Sequence, residues 1–288
     1  MPVSVTPATS LAALADLVRA GGVVILSGAG ISTESGIPDY RGPGGVRKVT
    51  PMQYAEFTGS SAARQRYWAR SFVGWQRFSR AAPNDGHRAV VRLQQRGFLD
   101  AIITQNVDGL HQAAGAHDVR ELHGSLEHVV CLTCSDRSGR ADLHERMSQG
   151  NPDFFERFRG GASQWGEQVR PDGDIVLGDE LVEAFRLPRC LACGTDTLKP
   201  DVVFFGESVP RAMVDRCFSL VEDARSLLVL GSSLAVMSGY RFVRRAVAHG
   251  IPVGIVTESP TRADAHASVR LHGRLGETLG GLGRVLGG

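Results

Sequence analysis

Apolar positions recur along the chain in two registers. Leu11, Leu14, Leu17 and Val18 stand at helical spacing and Gly21-Gly22 ends the pattern, which predicts a helix over 10–20. Val23-Val24-Ile25-Leu26 follows as a short, wholly apolar, β-branched run leading into Ser27-Gly28-Ala29-Gly30. That form is expected of a parallel strand buried on both faces. Three similar runs come later, Ala101-Ile102-Ile103-Thr104, Leu227-Leu228-Val229-Leu230 and Val253-Gly254-Ile255-Val256, each ending in polar or glycine-rich sequence. Helical stretches over 85–97, after Pro83-Asn84, and 239–249, before Gly250-Ile251-Pro252, separate them. This alternation predicts an α/β fold, a doubly wound parallel Rossmann-like sheet whose ligands sit outside the carboxyl ends of the strands.

Two segments break the alternation. Residues 124–197 hold four of the five cysteines, few long apolar runs and many loop-forming residues, among them Arg170-Pro171-Asp172-Gly173-Asp174. They read as a small inserted module, leaving 1–123 and 198–288 to the Rossmann-like domain. A second insertion, about 45–80, is aromatic and basic and is expected to be helical. The tail is glycine-rich, yet Leu275, Leu279, Leu282 and Leu286 keep the spacing of a short docked helix.

Composition narrows the class. The 288 residues suffice for a sizeable core, and 42% hydrophobic with 22% charged residues is ordinary for a globular protein. No apolar run approaches the roughly 18 residues of a membrane helix, which argues against a membrane protein. A net charge of +2 leaves no electrostatic footprint for nucleic acid. Neither lysine, Lys48 or Lys199, follows a glycine, so the Gly-Lys-Ser/Thr of a phosphate-binding ATPase loop is missing. Met1 to Ser10 carries neither the basic nor the apolar region of a secretion signal, so reduced thiols and a cytoplasmic location are expected. The 35 glycines, about 12% where about 7% is usual, call for local causes.

Cys131-x2-Cys134 and Cys190-x2-Cys193 are two knuckles that can close a tetrahedral four-thiolate site around one Zn2+. Four thiolates leave no open position, so the metal is expected to be structural, holding an insertion with little core of its own. Cys217, among Val214, Phe218, Leu220 and Val221, is expected to pack.

The Ser27 to Ser32 loop is partly like a dinucleotide-binding turn, where glycines let the backbone approach a pyrophosphate at a helix N-terminus. Its third glycine is replaced by Thr33, and no acidic strand end follows about 20 residues on, so an ordinary dehydrogenase is a poor reading. The longer text is more specific. Gly28 to Arg41 (GAGISTESGIPDYR), Thr104 to His111 (TQNVDGLH), His123-Gly124, the two knuckles, Lys199 to Glu207 (KPDVVFFGE) and Gly231-Ser232-Ser233-Leu234 together resemble the sirtuins, the NAD-dependent protein-lysine deacylases. The resemblance covers nearly the whole chain. Tyr67-Trp68-Ala69-Arg70 and the 170–174 motif look most like the class II branch, which includes a mitochondrial member in animals.

The resemblance implies NAD at the strand ends, held by Gly28, Ala29, Gly30, Ser32, Thr33, Gly36, Ile37, Pro38, Tyr40, Arg41, Gln105, Gly231, Ser232, Ser233 and Leu275. It implies Asp39, Asn106 and Asp108 facing the nicotinamide carboxamide, and His123 as the base that takes a proton from the ribose hydroxyls. Imidazole suits that step because its pKa lies near working pH. A peptide is expected to add as a strand along Val203, Phe204, Gly206 and Glu207, with the acyl-lysine stem near Val203, Phe204 and Leu234. Tyr67 and Arg70, at i and i+3, share a helix face, and similar pairs in the family read acyl chains ending in a carboxylate; the plainer alternative is a solvated helix with one aromatic in the core.

Two stretches depart from the family pattern. Where an asparagine usually holds the adenosine ribose, this chain reads Thr257-Glu258, and Glu258 is a substitute able to take the ribose hydroxyls. After Leu234, Ala235-Val236-Met237-Ser238-Gly239 lacks the usual Tyr-Pro. The expected reaction moves an acyl group from protein lysine to ADP-ribose with release of nicotinamide. Its rivals are ADP-ribosyl transfer to protein and a non-catalytic zinc-ribbon adaptor. No Gly-x-Ser-x-Gly is present, and His144-Glu145 meets Ser148 where a metalloprotease needs a second histidine.

Overall fold

The protein is described by a computed structural model over residues 7–40, 51–160, 175 and 177–287. Among these residues the strands are β1 (Val23–Ser27), β2 (Leu99–Thr104), β3 (Val119–Glu121), β4 (Gly124–Cys131), β5 (Arg137–Gly139), β6 (Leu198–Val202), β7 (Ser226–Leu230), β8 (Val253–Val256) and β9 (Val269–Leu271). The helices are α1 (Leu11–Arg19), α2 (Tyr54–Gly59), α3 (Ser61–Phe78), α4 (Asp85–Gln95), α5 (Leu110–Ala113), α6 (Arg140–Gly150), α7 (Phe154–Gly160), α8 (Asp179–Ala184), α9 (Arg211–Asp223), α10 (Met237–Ala248) and α11 (Leu275–Val285).

The four apolar runs are strands of one parallel sheet, ordered β3-β2-β1-β7-β8-β9. Every position of β1, β7 and β8 is buried, because helices cover both faces and leave no room for an unpaired polar side chain. On one face α1, α4 and α11 pack through Leu14, Val18, Val90, Leu93, Leu279 and Leu282. On the other, α9 and α10 pack through Cys217, Val221, Phe242 and Val243. The order reverses beside β1, with β2 and β3 on one side and β7, β8 and β9 on the other. This is the doubly wound arrangement, and its crevice opens between the ends of β1 and β7.

Local chemistry sets the helix ends. Ser10 caps α1 through a hydrogen bond from the Ala13 amide to its Oγ (3.1 Å). Asn84 caps α4 in a reciprocal box with His87, and its Nδ2 also donates to Ile31 O (2.7 Å) and Ser35 Oγ (2.9 Å). One side chain thus starts α4 and ties it to the loop after β1. α10 begins at Met237, earlier than the apolar spacing predicts, and β3 and β9 are too short for periodicity to show.

A second, three-stranded antiparallel sheet is ordered β5-β4-β6. β6 lies here, beside β4, although the pattern along the chain assigns 198 onward to the large domain. Lys199, Pro200 and Asp201 suit a short antiparallel strand better than one buried between helices. This sheet shares a core with the described part of the second insertion: Phe57, Trp68 and Phe72 of α2 and α3 pack with Val129, Leu143, Phe154, Phe185 and Leu198. Arg64 of α3 reaches Asp196 through both carboxylate oxygens (3.0 and 3.1 Å) and through the Asp196 carbonyl (3.0 Å). The two insertions therefore pack as a single unit.

Candidate functional site

A cavity of about 1000 Å3 opens over the carboxyl ends of the large sheet, where the switch in strand order places ligands. Gly28, Ala29, Gly30, Ser32, Thr33, Ile37, Asp39 and Tyr40 line it from the β1 side, and Gln105, Asn106 and Asp108 from the end of β2. Gly231, Ser232, Ser233 and Leu234 follow β7, Thr257 and Glu258 follow β8, and Leu275 enters from α11. The smaller unit contributes Tyr67, Val203, Phe204, Gly206 and Glu207, and His123 stands between β3 and β4. Gly36, Pro38 and Arg70 are not on the lining, and Arg41 and the 170–174 motif lie outside the described residues. Gly36 instead ends the turn with a left-handed φ of 82°.

The glycines of this loop also serve the packing of the fold. The amides of Gly28 and Gly30 donate to Leu230 O (2.9 Å) and Gly231 O (2.8 Å). A Cβ on Gly30 would come 2.8 Å from the Gly231 Cα, and one on Gly28 would come 2.8 Å from the Ser232 Cβ. These residues let the β1 and β7 loops interlock, with the Gly28 and Gly30 amides engaged between them.

Polar side chains beneath the cavity form a connected set. Ser32 Oγ donates to Asp108 Oδ2 (2.7 Å), and the Leu110 amide donates to Asp108 Oδ1 (3.0 Å). Asn106 Nδ2 donates to Gly28 O and Ser32 Oγ (both 3.2 Å). Burial pushes the Asp108 carboxyl above its usual range, against the pull of its Ser32 bond. Gln105 Nε2 donates to Ser232 Oγ (2.8 Å) and Ser27 O (3.2 Å). The strand-end loops are thereby cross-linked through side chains.

His123 is half-buried at the cavity wall. Its Nδ1 lies 2.9 Å from the Gln105 carbonyl, which can only accept, so Nδ1 carries the proton and Nε2 the basic lone pair. Burial lowers its pKa, opposed by the Gln105 bond and helped by the Arg241 charge. The ring is therefore a neutral base at neutral pH. Nε2 meets Ser238 Oγ at 2.9 Å, a partner the apolar spacing could not reveal.

Beneath the Val203 to Glu207 segment, Lys199 is buried. Its Nζ donates to Val202 O (2.6 Å) and pairs with Glu207 Oε2 (3.1 Å), which in turn accepts from the Phe204 amide (2.8 Å). The chain segment over Val203 to Glu207 is thus pinned from below. Tyr67 packs edge-on to Phe57 (5.3 Å) and near Phe204 (5.3 Å). Leu234, fully buried at the cavity, adopts a φ of 54°, a costly conformation for a residue with a bulky side chain. Glu258 lies 3.9 Å from Arg274.

The sulfurs of Cys131, Cys134, Cys190 and Cys193 lie within 4.8 Å of one another, with Cys131 to Cys193 at 3.6 Å and Cys134 to Cys190 at 3.7 Å. A tetrahedron with Zn–S bonds of about 2.3 Å has edges of about 3.8 Å, so the donor set fits zinc. The knuckles repeat one backbone pattern: the Cys131 amide donates to Asp136 O and the Cys190 amide to Thr195 O, both at 2.8 Å. Cys217 is fully buried in the core, and burial raises its thiol pKa to about 11.

Comparison with known proteins agrees with this geometry. A profile of the Sir2 family matches residues 28–238. The chain is 55% identical over 272 residues to "NAD-dependent protein deacetylase 1" of Streptomyces coelicolor, covering 94% of this chain and 88% of that protein. It is 45% identical over 261 residues to "NAD-dependent protein lipoamidase sirtuin-4, mitochondrial" of Homo sapiens, covering 89% and 80%. A solved structure described as "Sir2-p53 peptide-NAD+" superposes with a TM-score of 0.72 at 28% identity, covering 96% of this chain and 98% of that one. The match runs from the β1 loop to the first turn of α10 and takes in the cavity lining as far as Ser238 and both knuckles: the chain belongs to the Sir2 family.

Proposed function

We propose that this protein removes acyl groups from protein lysine in an NAD-dependent reaction that releases nicotinamide and O-acyl-ADP-ribose. The observation that carries the reading is His123, whose Nδ1 proton is fixed on Gln105 O and whose basic Nε2 stands at the wall of the cavity over the strand ends. The cavity volume is at the upper end for small-molecule sites, as a dinucleotide requires. NAD, when bound, supplies an electrophilic ribose carbon once nicotinamide departs, and that sugar accepts the acyl group.

The chain's residues do the remaining work. Asp39, Asn106 and Asp108 face the carboxamide, with Asn106 and Asp108 oriented through Ser32. Ser232, Ser233 and the 29–33 turn hold the phosphates by hydroxyl and backbone donors, and Thr257 with Glu258 takes the adenosine sugar. A peptide lies along Val203 to Glu207, whose position Lys199 maintains, and its acyl-lysine passes Phe204 and Leu234. Tyr67 borders the acyl chain, whereas Arg70, off the lining, gives no direct support for a carboxylated acyl group. His123 Nε2 takes the proton from a ribose hydroxyl. Cys131, Cys134, Cys190 and Cys193 hold one structural zinc, and the need for four reduced thiols favours the cytoplasm. No helix among the described residues is long and apolar enough to cross a membrane.

The test is to incubate the protein with NAD and a panel of acyl-lysine peptides, following nicotinamide release, loss of acyl mass and gain of ADP-ribose. Acyl loss that falls by roughly a hundredfold or more in His123→Ala is expected. Protein-bound ADP-ribose without acyl loss would favour a transferase instead.

A further inference from the structure

Nε2 of His123 has one lone pair, and in the free protein it is already engaged. Ser238 Oγ lies 2.9 Å away, and the tautomer fixed by Gln105 makes the serine the donor. Ser238 belongs to the first turn of α10, whose backbone fixes the hydroxyl against the cavity. The imidazole is thus held at both nitrogens, by the end of β2 on one side and by α10 on the other.

We propose that Ser238 is a positioning residue for His123, holding the ring by Nε2 before and after the proton is transferred. The inference rests on the deacylase reading above. A hydroxyl both donates and accepts. While the ring is neutral, Ser238 donates to Nε2; a substrate hydroxyl then takes that place and passes its proton to the nitrogen. When the resulting oxyanion attacks the acyl carbon, the Ser238 hydroxyl rotates so that its oxygen accepts from Nε2–H. One side chain therefore keeps the ring in a single orientation while the proton moves. Arg241, one turn along α10 and also on the cavity lining, adds positive charge that favours the neutral ring, as the donating role of Ser238 requires.

Two variants test this. In long-range proton–nitrogen spectra of the free protein with labelled histidine, Ser238→Ala is expected to move the His123 Nε2 resonance toward that of an imidazole nitrogen with no donor. The Nδ1–H tautomer is expected to persist, since Gln105 still holds it. In turnover, Ser238→Ala is expected to lower kcat roughly fivefold to tenfold with KM for NAD nearly unchanged, the scale of one lost hydrogen bond. Ser238→Thr, which keeps the hydroxyl, is expected to restore most of the loss. An Nε2 resonance unchanged in Ser238→Ala, a kcat equal to wild type, or an equal loss in both variants would overturn the proposal. If the wild-type protein shows no NAD-dependent acyl loss, the functional reading fails, while the spectrum still reports whether Ser238 holds the ring.

Discussion

Gln105 serves the site twice, with its carbonyl fixing the His123 tautomer and its amide joining the β1 and β7 loops. It fits only because residue 239 of α10 has no side chain: a Cβ there would collide with the Gln105 amide. In an ordinary helix, Gly→Ala stabilises by about 1 kcal/mol. Here Gly239→Ala is expected to do the opposite, because Gln105 cannot swing away without abandoning Ser27 O and Ser232 Oγ. The expected outcome is a drop in turnover of roughly tenfold with a modest loss of thermal stability, the cost of one or two hydrogen bonds. Turnover at the wild-type level would show that Gln105 has another place to go. The motif TQNVDGLH made Gln105 legible in the sequence, but nothing there tied it to Gly239.

Among the elements, α3 is bound to the zinc knuckles. Arg64 binds Asp196, three residues after Cys193, and Trp68 Nε1 donates to Leu198 O (2.9 Å). The helix that carries Tyr67 to the cavity is therefore fastened to the segment the metal orders. Removing zinc with a chelator is expected to unfold the knuckles and expose Trp68, read as a red shift in tryptophan fluorescence together with loss of acyl turnover. A purified protein holding no zinc, or one whose fluorescence and turnover ignore chelation, would contradict the structural role. The sequence displayed the cysteine spacing because metal ligation demands it. It did not display that two insertions share one core, since Phe57, Trp68 and Phe185 become neighbours only after the chain has returned across the second sheet.

At the scale of the whole molecule, stability should depend on acid through two histidines the reaction does not use. His87 and His111 are buried edge to face at 5.1 Å, and burial lowers their pKa values to about 4 and about 3. Unfolded, each takes up a proton near pH 6.5, while folded it does not until far lower. The unfolded state therefore binds more protons between about pH 6.5 and pH 4, and stability falls as pH drops through that window. The two together amount to several kcal/mol, because each tenfold loss of proton affinity on folding is equivalent to about 1.4 kcal/mol. Thermal unfolding followed from pH 7 to pH 4 is expected to show a steep fall in Tm, and His111→Phe is expected to flatten it. An unchanged slope in that variant would place the acid sensitivity elsewhere.

The sequence alone determined the features that a local rule enforces. Wholly apolar runs became strands buried on both faces because an unpaired polar side chain does not survive between two helix layers, and their alternation with helices settled the doubly wound class. The cysteine spacing and the long loop motifs marked a metal site and a cofactor site for the same reason: ligand geometry acts on residues close in the chain. Only the tertiary structure decided which partners meet from afar. His123 and Ser238 stand 115 residues apart, and Gly28 and Gly30 leave room for the close approach of Gly231 and Ser232, which no spacing along the chain announces. β3 and β9 exist because a neighbouring strand offers hydrogen bonds, not because three residues carry a pattern. Such contacts are fixed by packing across the fold, where the spacing of residues along the chain carries no signal.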